Sequence, residues 1–434
     1  MITQYPEIGS KSNPSSVDFA DSLHLDAFSR LRISEPVTLF DSQQEYGLDT
    51  RTTWDCAANG TLSTASSNGS AVSGSNSVGP RDVNTRMVPI VVSTTSGHYS
   101  VLQSRQYVRY APGKSQLILI TGIFSPGTIP NCDARTGYFD SANGIFLKVT
   151  NGVYSVVRRT STSGSVVDNE VLQSAWNIDK LDGTGVSGKT LDLTKTNILV
   201  IDAQWLGIGR VRIGFDIDGV IVPVHQFLNA NVMLVPYTQT FNLPVRLELR
   251  NTGTSSGTPT IQFVCCSVQS EGGTDIRGFP QTASNGVTAI GVTTRRPVLS
   301  IRPKATYNSI TNRSHIEASD FAVIAKTNDC YYEIVVGGTL TGASWTSVNA
   351  TSATEYDVAA TAISGGISII SDFVLSGSGS VRGKTEANAD VRNPLTISQI
   401  DALTAFQTPI SIVATSVSGT SNIQASLNWH EKTI

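Results

Sequence analysis

The sequence is poor in charge. Only 15% of its 434 residues are charged, compared with about 25% in an average globular protein. Its 31 basic and 34 acidic residues give a net charge of -3, so no positive field is present to hold a nucleic acid. No apolar run approaches the roughly 20 residues that a membrane-spanning helix needs. We therefore expect neither a nucleic acid nor a membrane as a partner.

Cysteine and histidine are also scarce, with five of each. The cysteines are irregularly spaced and form no CxxC pair, which argues against a zinc knuckle. Cys265 and Cys266 are adjacent in an apolar run, so on a strand they point to opposite faces and pack as small hydrophobes. The histidines lack the spacing of helical metal ligands. We expect reduced thiols, as in a reducing cytoplasm, no bound metal and no cofactor.

Serine and threonine are abundant, with 52 and 47 residues, or 23% of the chain. Helical periodicity is nearly absent, and its best candidate is one short stretch with Ile397, Ile400, Leu403 and Phe406 on one face. Short apolar runs separated by Gly, Pro, Asn and Asp recur along the chain, which is typical of closely spaced strands and turns. The sequence therefore predicts an all-β protein of sandwich or barrel architecture.

Two hairpins can be predicted in register. Asp218-Gly219 is a two-residue turn that accepts positive φ, and it places Ile217 opposite Val220, Phe215 opposite Val222 and Ile213 opposite Val224. The reverse face then pairs Arg212 with His225 and Asp216 with Ile221. Pro223 cannot donate to a ladder, so its strand is expected at an edge or with a bulge.

The second predicted hairpin turns at Asn151-Gly152. This turn places Val149 opposite Tyr154 and Leu147 opposite Val156. On the reverse face Lys148 pairs with Ser155 and Phe146 with Val157. That face mixes polar and apolar residues, so we expect the hairpin to be partly covered on both sides.

The strand signals are interrupted by a Gly-, Pro- and Thr-rich region near residue 280. We therefore predict three parts: residues 1–55 as an N-terminal extended arm, 56–280 as a central jelly-roll-like β-sandwich and 281–434 as a smaller C-terminal β-sandwich. The run QLILITGIF, at 116–124, is apolar almost throughout and is expected as a central strand.

HExxH is absent from the sequence. GxxxxGK[ST] and GxSxG each match once by spacing, at 183–190 and 253–257, but helical periodicity is nearly absent, so the strand–turn–helix context that gives either motif its chemistry is not predicted. His225 is expected to be an ordinary hydrogen-bonded histidine. The loop Asn177–Gly188 resembles an EF-hand calcium loop, but Asp182 and Gly183 each stand one position later than that pattern requires. The loop is therefore either a cation site of another kind or a Gly-rich surface loop. Carboxylates that could pair only in the fold are Asp140, Asp202, Asp216 and Asp218. We predict no catalytic, cofactor-binding or metal-binding residue, and no enzymatic activity.

Several segments resemble structural proteins of tailed-bacteriophage virions. DAFSRLRISEPVTLFDSQQEYG, at 26–47, carries one motif, and the central block comprises 136–149, 174–188, 205–227 (with WLGIGRVRIGF) and 243–254. The resemblance covers about residues 26–300. It implies a component of the tail, neck or capsid surface, including a capsid-decoration or host-attachment protein, and it carries over no catalytic residue. At fold level the central block also resembles jelly rolls of the concanavalin type.

The first of these motifs predicts an interface. Apolar and charged residues alternate in it, and Pro36 separates two extended pieces, a pattern that suits addition to a sheet edge. The candidate interface residues are Phe28, Arg30, Leu31, Arg32, Ile33, Leu39 and Phe40. Two interpretations remain open at this point: the segment docks on a neighbouring subunit or another virion protein, or residues 26–55 are the first strands of the central domain.

The sequence thus favours a structural virion component, assembled in the host bacterial cytoplasm. Its expected partners are copies of itself, in a homo-oligomer such as a trimer or hexamer, and other virion proteins. The alternative is a glycan- or receptor-binding module for a host surface glycan, with Trp345, Tyr331 and Tyr332 as contacts that stack on sugars. A polysaccharide depolymerase is the third interpretation.

Overall fold

A computed structural model describes residues 36–50, 52–62, 75–273, 278–377, 381–384, 397–398, 400–401, 403 and 406–432. Nearly all regular structure in these residues is β-strand, with one short 3-10 helix at Gln173–Ala175. No helix among the described residues has the length and apolar character to span a membrane. The chain is all-β and forms two successive β-sandwiches.

The first sandwich contains sixteen strands in two eight-stranded sheets. Its strands are β1 (Val37–Gln43), β2 (Trp54–Ala58), β3 (Thr61–Leu62), β4 (Ser77–Val78), β5 (Val88–Val91), β6 (Tyr99–Ser104), β7 (Gln116–Ile123), β8 (Cys132–Phe139), β9 (Gly144–Thr150), β10 (Val153–Thr160), β11 (Val167–Leu172), β12 (Asn197–Ala203), β13 (Val211–Ile217), β14 (Val220–Phe227), β15 (Val245–Asn251) and β16 (Thr260–Ser270). One sheet, here named the groove sheet, has the order β14-β13-β12-β7-β16-β5-β4, with β1 also paired to β16. The other, the back sheet, has the order β11-β10-β9-β8-β15-β6-β2-β3.

The core of the first sandwich lies between these sheets. On β7, Ile118 and Ile120 are fully buried while Leu117 and Leu119 are only half-buried, so alternate residues face the core and the outside. Trp54 lies at one end of the core between Phe40 and Phe263, with ring centroids 5.8 and 5.1 Å away. The prediction of a central strand is confirmed, because β7 pairs with β12 and β16.

The Asn151-Gly152 hairpin is confirmed in every predicted pair. The Asp218-Gly219 hairpin is confirmed up to Phe215 and Val222. Beyond that point the prediction is wrong: a bulge opposite Gly214 shifts the register, so Ile213 faces His225. The expected edge position also holds, because β14 is the last strand of the groove sheet, where a missing donor at Pro223 does least harm.

The second sandwich contains the remaining strands. They are β17 (Phe279–Ser284), β18 (Ile290–Val292), β19 (Arg296–Pro303), β20 (Thr306–Tyr307), β21 (Ile310–Thr311), β22 (His315–Ala325), β23 (Cys330–Val336), β24 (Thr339–Thr341), β25 (Thr346–Ser347), β26 (Thr354–Asp357), β27 (Ala362–Ser364), β28 (Ile367–Val374), β29 (Val381–Lys384), β30 (Ile397–Ser398), β31 (Phe406–Gln407), β32 (Ile410–Ser416) and β33 (Ser421–Lys432). A five-stranded sheet, β17-β33-β22-β29 with β18, faces a six-stranded sheet, β25-β26-β19-β32-β23-β28. Their separate core is built around Trp429, Phe321 and Tyr332.

Part of the second half of the chain returns to the first sandwich. Ile400 is fully buried against Ala57 and Val101 on the outer face of the back sheet, and Leu403 packs beside it. Asp401 pairs with Arg246 on β15. We name Ile400, Asp401 and Leu403 the return segment. The best helical candidate of the sequence lies here, and its described residues form no helix, since Ile397–Ser398 and Phe406–Gln407 pair as β30 and β31.

Candidate functional site

The outer face of the groove sheet carries an open groove of about 650 Å³. It crosses β7, β12, β13 and β14 and reaches Pro36, which directly precedes β1. Its floor is aliphatic, with Leu117 half-buried and Ile221 49% exposed. We name this feature the outer groove. An aliphatic floor that no described residue covers, on a strand that is apolar on both faces, marks a surface suited to a partner.

Charged groups stand at the rim of the outer groove. The Arg212 guanidinium donates to Asp202 Oδ2 from Nε at 2.8 Å and from Nη2 at 2.5 Å. The two residues face each other across β12 and β13, while on β14 Arg212 faces Gln226 and not the predicted His225. Glu271 lines the same groove and is exposed. The groove therefore holds two carboxylates, one of them neutralised by an arginine.

The other carboxylates considered from the sequence stabilise turns. Asp140 Oδ1 accepts the N–H groups of Ala142 and Asn143, both at 2.8 Å. Asp216 Oδ1 accepts the N–H of Gly219 at 2.9 Å. Such short-range acceptance from the backbone is the usual role of Asp near a turn. These carboxylates lie outside the outer groove.

The loop Asn177–Gly188 is organised by its own aspartates. Asp179 accepts the N–H groups of Leu181 and Ser187 at 2.8 and 2.7 Å. His225 Nδ1 accepts the N–H of Asn177 at 3.3 Å, and burial lowers the pKa of this imidazole. No group of three metal-ligating side chains occurs among the described residues. The contacts agree with a surface loop and with a hydrogen-bonded histidine.

The three aromatic residues proposed to stack on glycans are not brought together. The Arg302 guanidinium lies 4.0 Å from the ring centre of Trp345, next to edge strand β25. Tyr332 is 2% exposed and packs on Phe321 in the second core. Tyr331, on the outer face of β23, packs on Phe373 at 5.3 Å. Trp345 and Tyr331 thus lie towards opposite edges of the six-stranded sheet.

Phe373 was missed by the sequence reasoning. It is 60% exposed and faces Tyr331 across β23 and β28, so the two rings form one aromatic patch. Its only sequence signal is an aromatic residue at a position where the alternation of ISIISDFV points outward. The two candidate rings of this sheet are therefore Tyr331 and Phe373.

The candidate interface residues divide into two groups. Leu39 and Phe40 lie on β1, where Phe40 is 6% exposed and Leu39 packs against the first core. The segment from Pro36 therefore belongs to the first sandwich and not to a separate arm that ends at residue 55, because β1 pairs with β16. The other residues lie outside the described part of the chain: Phe28, Arg30, Leu31, Arg32 and Ile33.

No protein-family model matches the chain, and no curated protein matches it. Similar solved structures include a glycosyl hydrolase family protein from Mycobacterium fortuitum, with 15% identity over 54% of this chain and 99% of that one and a TM-score of 0.33. A β-1,3-1,4-glucanase (lichenase) derived from a mouse hindgut metagenome has 11% identity over 54% and 99%, with a TM-score of 0.30. The CBM2 module of the evolved Dit of Lactobacillus casei BL23 phage J-1 has 8% identity over 56% and 99%, with a TM-score of 0.33.

These similarities concern the β-sandwich fold alone. They also correct one prediction. The expectation that the chain has no enzymatic activity is contradicted, because glycoside hydrolases are among the proteins of this architecture. A shared fold at such identity carries over no substrate and no catalytic residue.

Proposed function

We propose that this protein is a structural component of a tailed-phage virion that assembles with copies of itself. The resemblance of residues 26–47 and of the central block to virion structural proteins supports the virion location. The outer groove supports assembly, since it is an open aliphatic surface on a rigid sheet. Its polar rim around an apolar centre matches the usual anatomy of a protein–protein interface.

The proposed occupant of the outer groove is the N-terminal segment of a neighbouring copy. Pro36 lines the groove, and Phe28 stands eight residues before it in the sequence. Extended at about 3.3 Å per residue, these residues carry Phe28 up to roughly 26 Å from Pro36, which reaches a subunit packed against this face. The segment also has the right chemistry, because Phe28, Leu31 and Ile33 would supply apolar side chains to an aliphatic floor.

One substitution tests this proposal with little risk to the fold. Ile221 is 49% exposed on the floor of the groove, and Ile221→Glu would place a charge against the proposed occupant. The matched control is Val220→Glu, since Val220 is 61% exposed on the same strand but does not line the groove. Mass photometry of the purified full-length proteins measures the oligomeric state.

We expect oligomers for the wild type and Val220→Glu, and monomers for Ile221→Glu and for the chain without residues 1–35. Incorporation into particles, scored by complementation, should follow the same order. An unchanged oligomer in both Ile221→Glu and the truncated chain would contradict the proposed occupant. If the wild type forms oligomers but is not incorporated into particles, the virion role is contradicted while the proposed occupant of the groove is not.

A second candidate function is the binding or cleavage of a polysaccharide. The observation that favours it is that Asp202 and Glu271 line one open groove, since a pair of carboxylates flanking a bond is the usual arrangement in glycoside hydrolysis. A reducing-sugar assay on host surface polysaccharide tests cleavage, with Asp202→Asn and Glu271→Gln as variants. Activity that is lost in both variants would support this candidate, whereas no release of sugar by the wild type would reject cleavage.

A further inference from the structure

A second cavity, of about 600 Å³, lies between the two sandwiches. One wall comes from the first sandwich and includes Tyr107, Arg109 and Asn242. The other comes from the second sandwich and includes Arg313 and His315. We name it the interdomain cavity. Its volume is within the usual range for a small-ligand site, and it is separate from the outer groove.

Two arginines of this cavity have buried nitrogens with nothing to donate to. Nε and Nη1 of Arg109 and Nη1 of Arg313 are inaccessible to solvent and have no hydrogen-bond partner among the described residues. A buried donor left without an acceptor costs free energy, and the cost is greater for a charged group. Burial also lowers the pKa of the Arg109 guanidinium. Two such arginines in one cavity form a positively charged site whose donors suit an anion.

The acidic groups near the cavity are engaged elsewhere. The carboxylate of Asp140 accepts backbone N–H groups of its own turn. Asp401 Oδ1 and Oδ2 accept from Arg246 at 2.9 and 3.0 Å. Glu317, the acidic residue that acts most on Arg109, accepts from Lys432 Nζ at 2.6 Å. None of these contacts satisfies the buried nitrogens of Arg109.

The remaining walls hold the site in place. The Arg313 guanidinium lies 3.6 Å from the ring centre of Tyr107, an arrangement that fixes the plane of the guanidinium. Nε2–H of His315 donates to the carbonyl oxygen of Tyr107 at 2.7 Å. This bond joins the two walls through a buried imidazole, which is 7% exposed. The named wall residues other than His315 lie in connections between strands, and these two contacts hold those connections in place, as a preorganised site requires.

We propose that the interdomain cavity binds an oxyanion, such as the carboxylate of an acidic sugar or a phosphate or sulfate group, through Arg109 and Arg313. Guanidinium groups match the planar geometry of these anions and donate charge-assisted hydrogen bonds. The bound group would bridge the two sandwiches. The proposal is independent of the outer groove and of the virion role.

Isothermal titration calorimetry on the full-length protein tests the proposal. The probes are glucuronate, inorganic phosphate and sulfate, each compared with chloride at equal ionic strength. The variants are Arg109→Gln and Arg313→Gln. The control is Arg86→Gln, because Arg86 lies outside the cavity with 45% of its side chain exposed. Near-ultraviolet circular dichroism establishes that each variant keeps its tertiary structure.

We expect saturable binding of at least one probe by the wild type, unchanged in Arg86→Gln and at least tenfold weaker in each cavity variant. A preference for glucuronate would indicate an acidic saccharide, and a preference for phosphate or sulfate a tetrahedral oxyanion. If a glutamine variant fails to fold, Arg109→Lys keeps a positive charge without the planar donors and should also bind at least tenfold more weakly. No binding of any probe by the wild type, or equal binding by folded cavity variants, would overturn the proposal.

Discussion

Glu248 lies at the centre of a buried cluster of charges on the outer face of the back sheet, and its replacement by glutamine tests what that cluster contributes. Glu248 Oε2 accepts from Arg246 Nε at 3.2 Å and from Nη2 at 2.7 Å. Oε1 accepts from Arg250 Nε at 2.9 Å and from Arg135 Nη1 at 3.5 Å. The side chains of Glu248 and Arg246 are each 2% exposed, so Glu248→Gln leaves a buried guanidinium with less opposing charge.

Removing one partner of a buried ion pair costs about 3–5 kcal/mol. Glutamine has nearly the shape of glutamate, so the substitution leaves no empty space that would lower the free energy of unfolding further. Arg246 also keeps Asp401 at 2.9 and 3.0 Å, so we expect the lower end of this range, about 3 kcal/mol. At about 2–4 °C for each kcal/mol in a unit of 150–250 residues, the first transition should shift by roughly 6–12 °C.

Urea unfolding followed by tryptophan fluorescence measures this change, because Trp54 is buried in the same sandwich. Glu45→Gln is the control, since Glu45 forms a pair with Arg86 at 3.7 Å and both side chains are more than 40% exposed; exposed pairs contribute about 0–1 kcal/mol. A loss below about 1 kcal/mol for Glu248→Gln, which is the value of an exposed pair, would refute the reasoning.

The same residue has a pH signature. Burial alone would raise the pKa of Glu248, but the guanidinium groups of Arg246, Arg135 and Arg250 hold it well below its usual value of 4.5. A carboxyl with a lowered pKa in the folded state contributes its stability above the unfolded value, and loses it as the pH falls through the folded value. The wild type should therefore lose stability below about pH 4.5 more steeply than Glu248→Gln.

Three further predictions concern other buried or strained groups. Burial lowers the pKa of His315 from 6.5, so the free energy of unfolding of the wild type should fall as the pH drops below 6.5. Urea titrations at pH 5 to 8 should show a shallower fall for His315→Gln, and equal slopes for the two proteins would contradict this. Burial raises the pKa of the Cys56 and Cys266 thiols, and a thiol reacts through its thiolate, so these two should react slowly with a chromogenic disulfide reagent. In the native protein the half-buried Cys265 should be modified first, and mass spectrometry of digests would show the order. Gly219 has φ 81° and open space where an alanine Cβ would lie, so backbone strain in Gly219→Ala should lower the free energy of unfolding by roughly 1 kcal/mol. Gly257 also has open space but no positive φ, so thermal unfolding of Gly257→Ala should match that of the wild type.

Local features of the fold could be predicted from the sequence because short-range chemistry decides them. Asn151 and Gly152 both adopt positive φ, at 53° and 79°, and this turn fixed every pair of its hairpin. The same reasoning failed next to Pro223, where a bulge moved the β14 partner of Arg212 from His225 to Gln226. A turn sets register only as far as the ladder stays regular.

The candidate sites could not be predicted, because residues distant in the sequence form them. Arg109 and Arg313 meet only where two sandwiches pack together, and nothing near either residue in the sequence indicates a buried guanidinium. Asp202 and Glu271 share the outer groove through the order of strands in the groove sheet. A partial signal existed in Leu117, since a strand that is apolar on both faces needs cover on both faces.

During translation, the outer face of the back sheet is made long before the residues that cover it. Arg246 and Asp401, which pair at this face, are 155 positions apart. At about 5–20 residues per second, a ribosome needs roughly 8–31 seconds to pass from one to the other. Through that interval Val101 lacks its cover by Ile400 and Arg246 lacks Asp401. A nascent chain of this protein therefore exposes an apolar surface beside an incompletely paired arginine, and chaperones would have their longest opportunity to bind there.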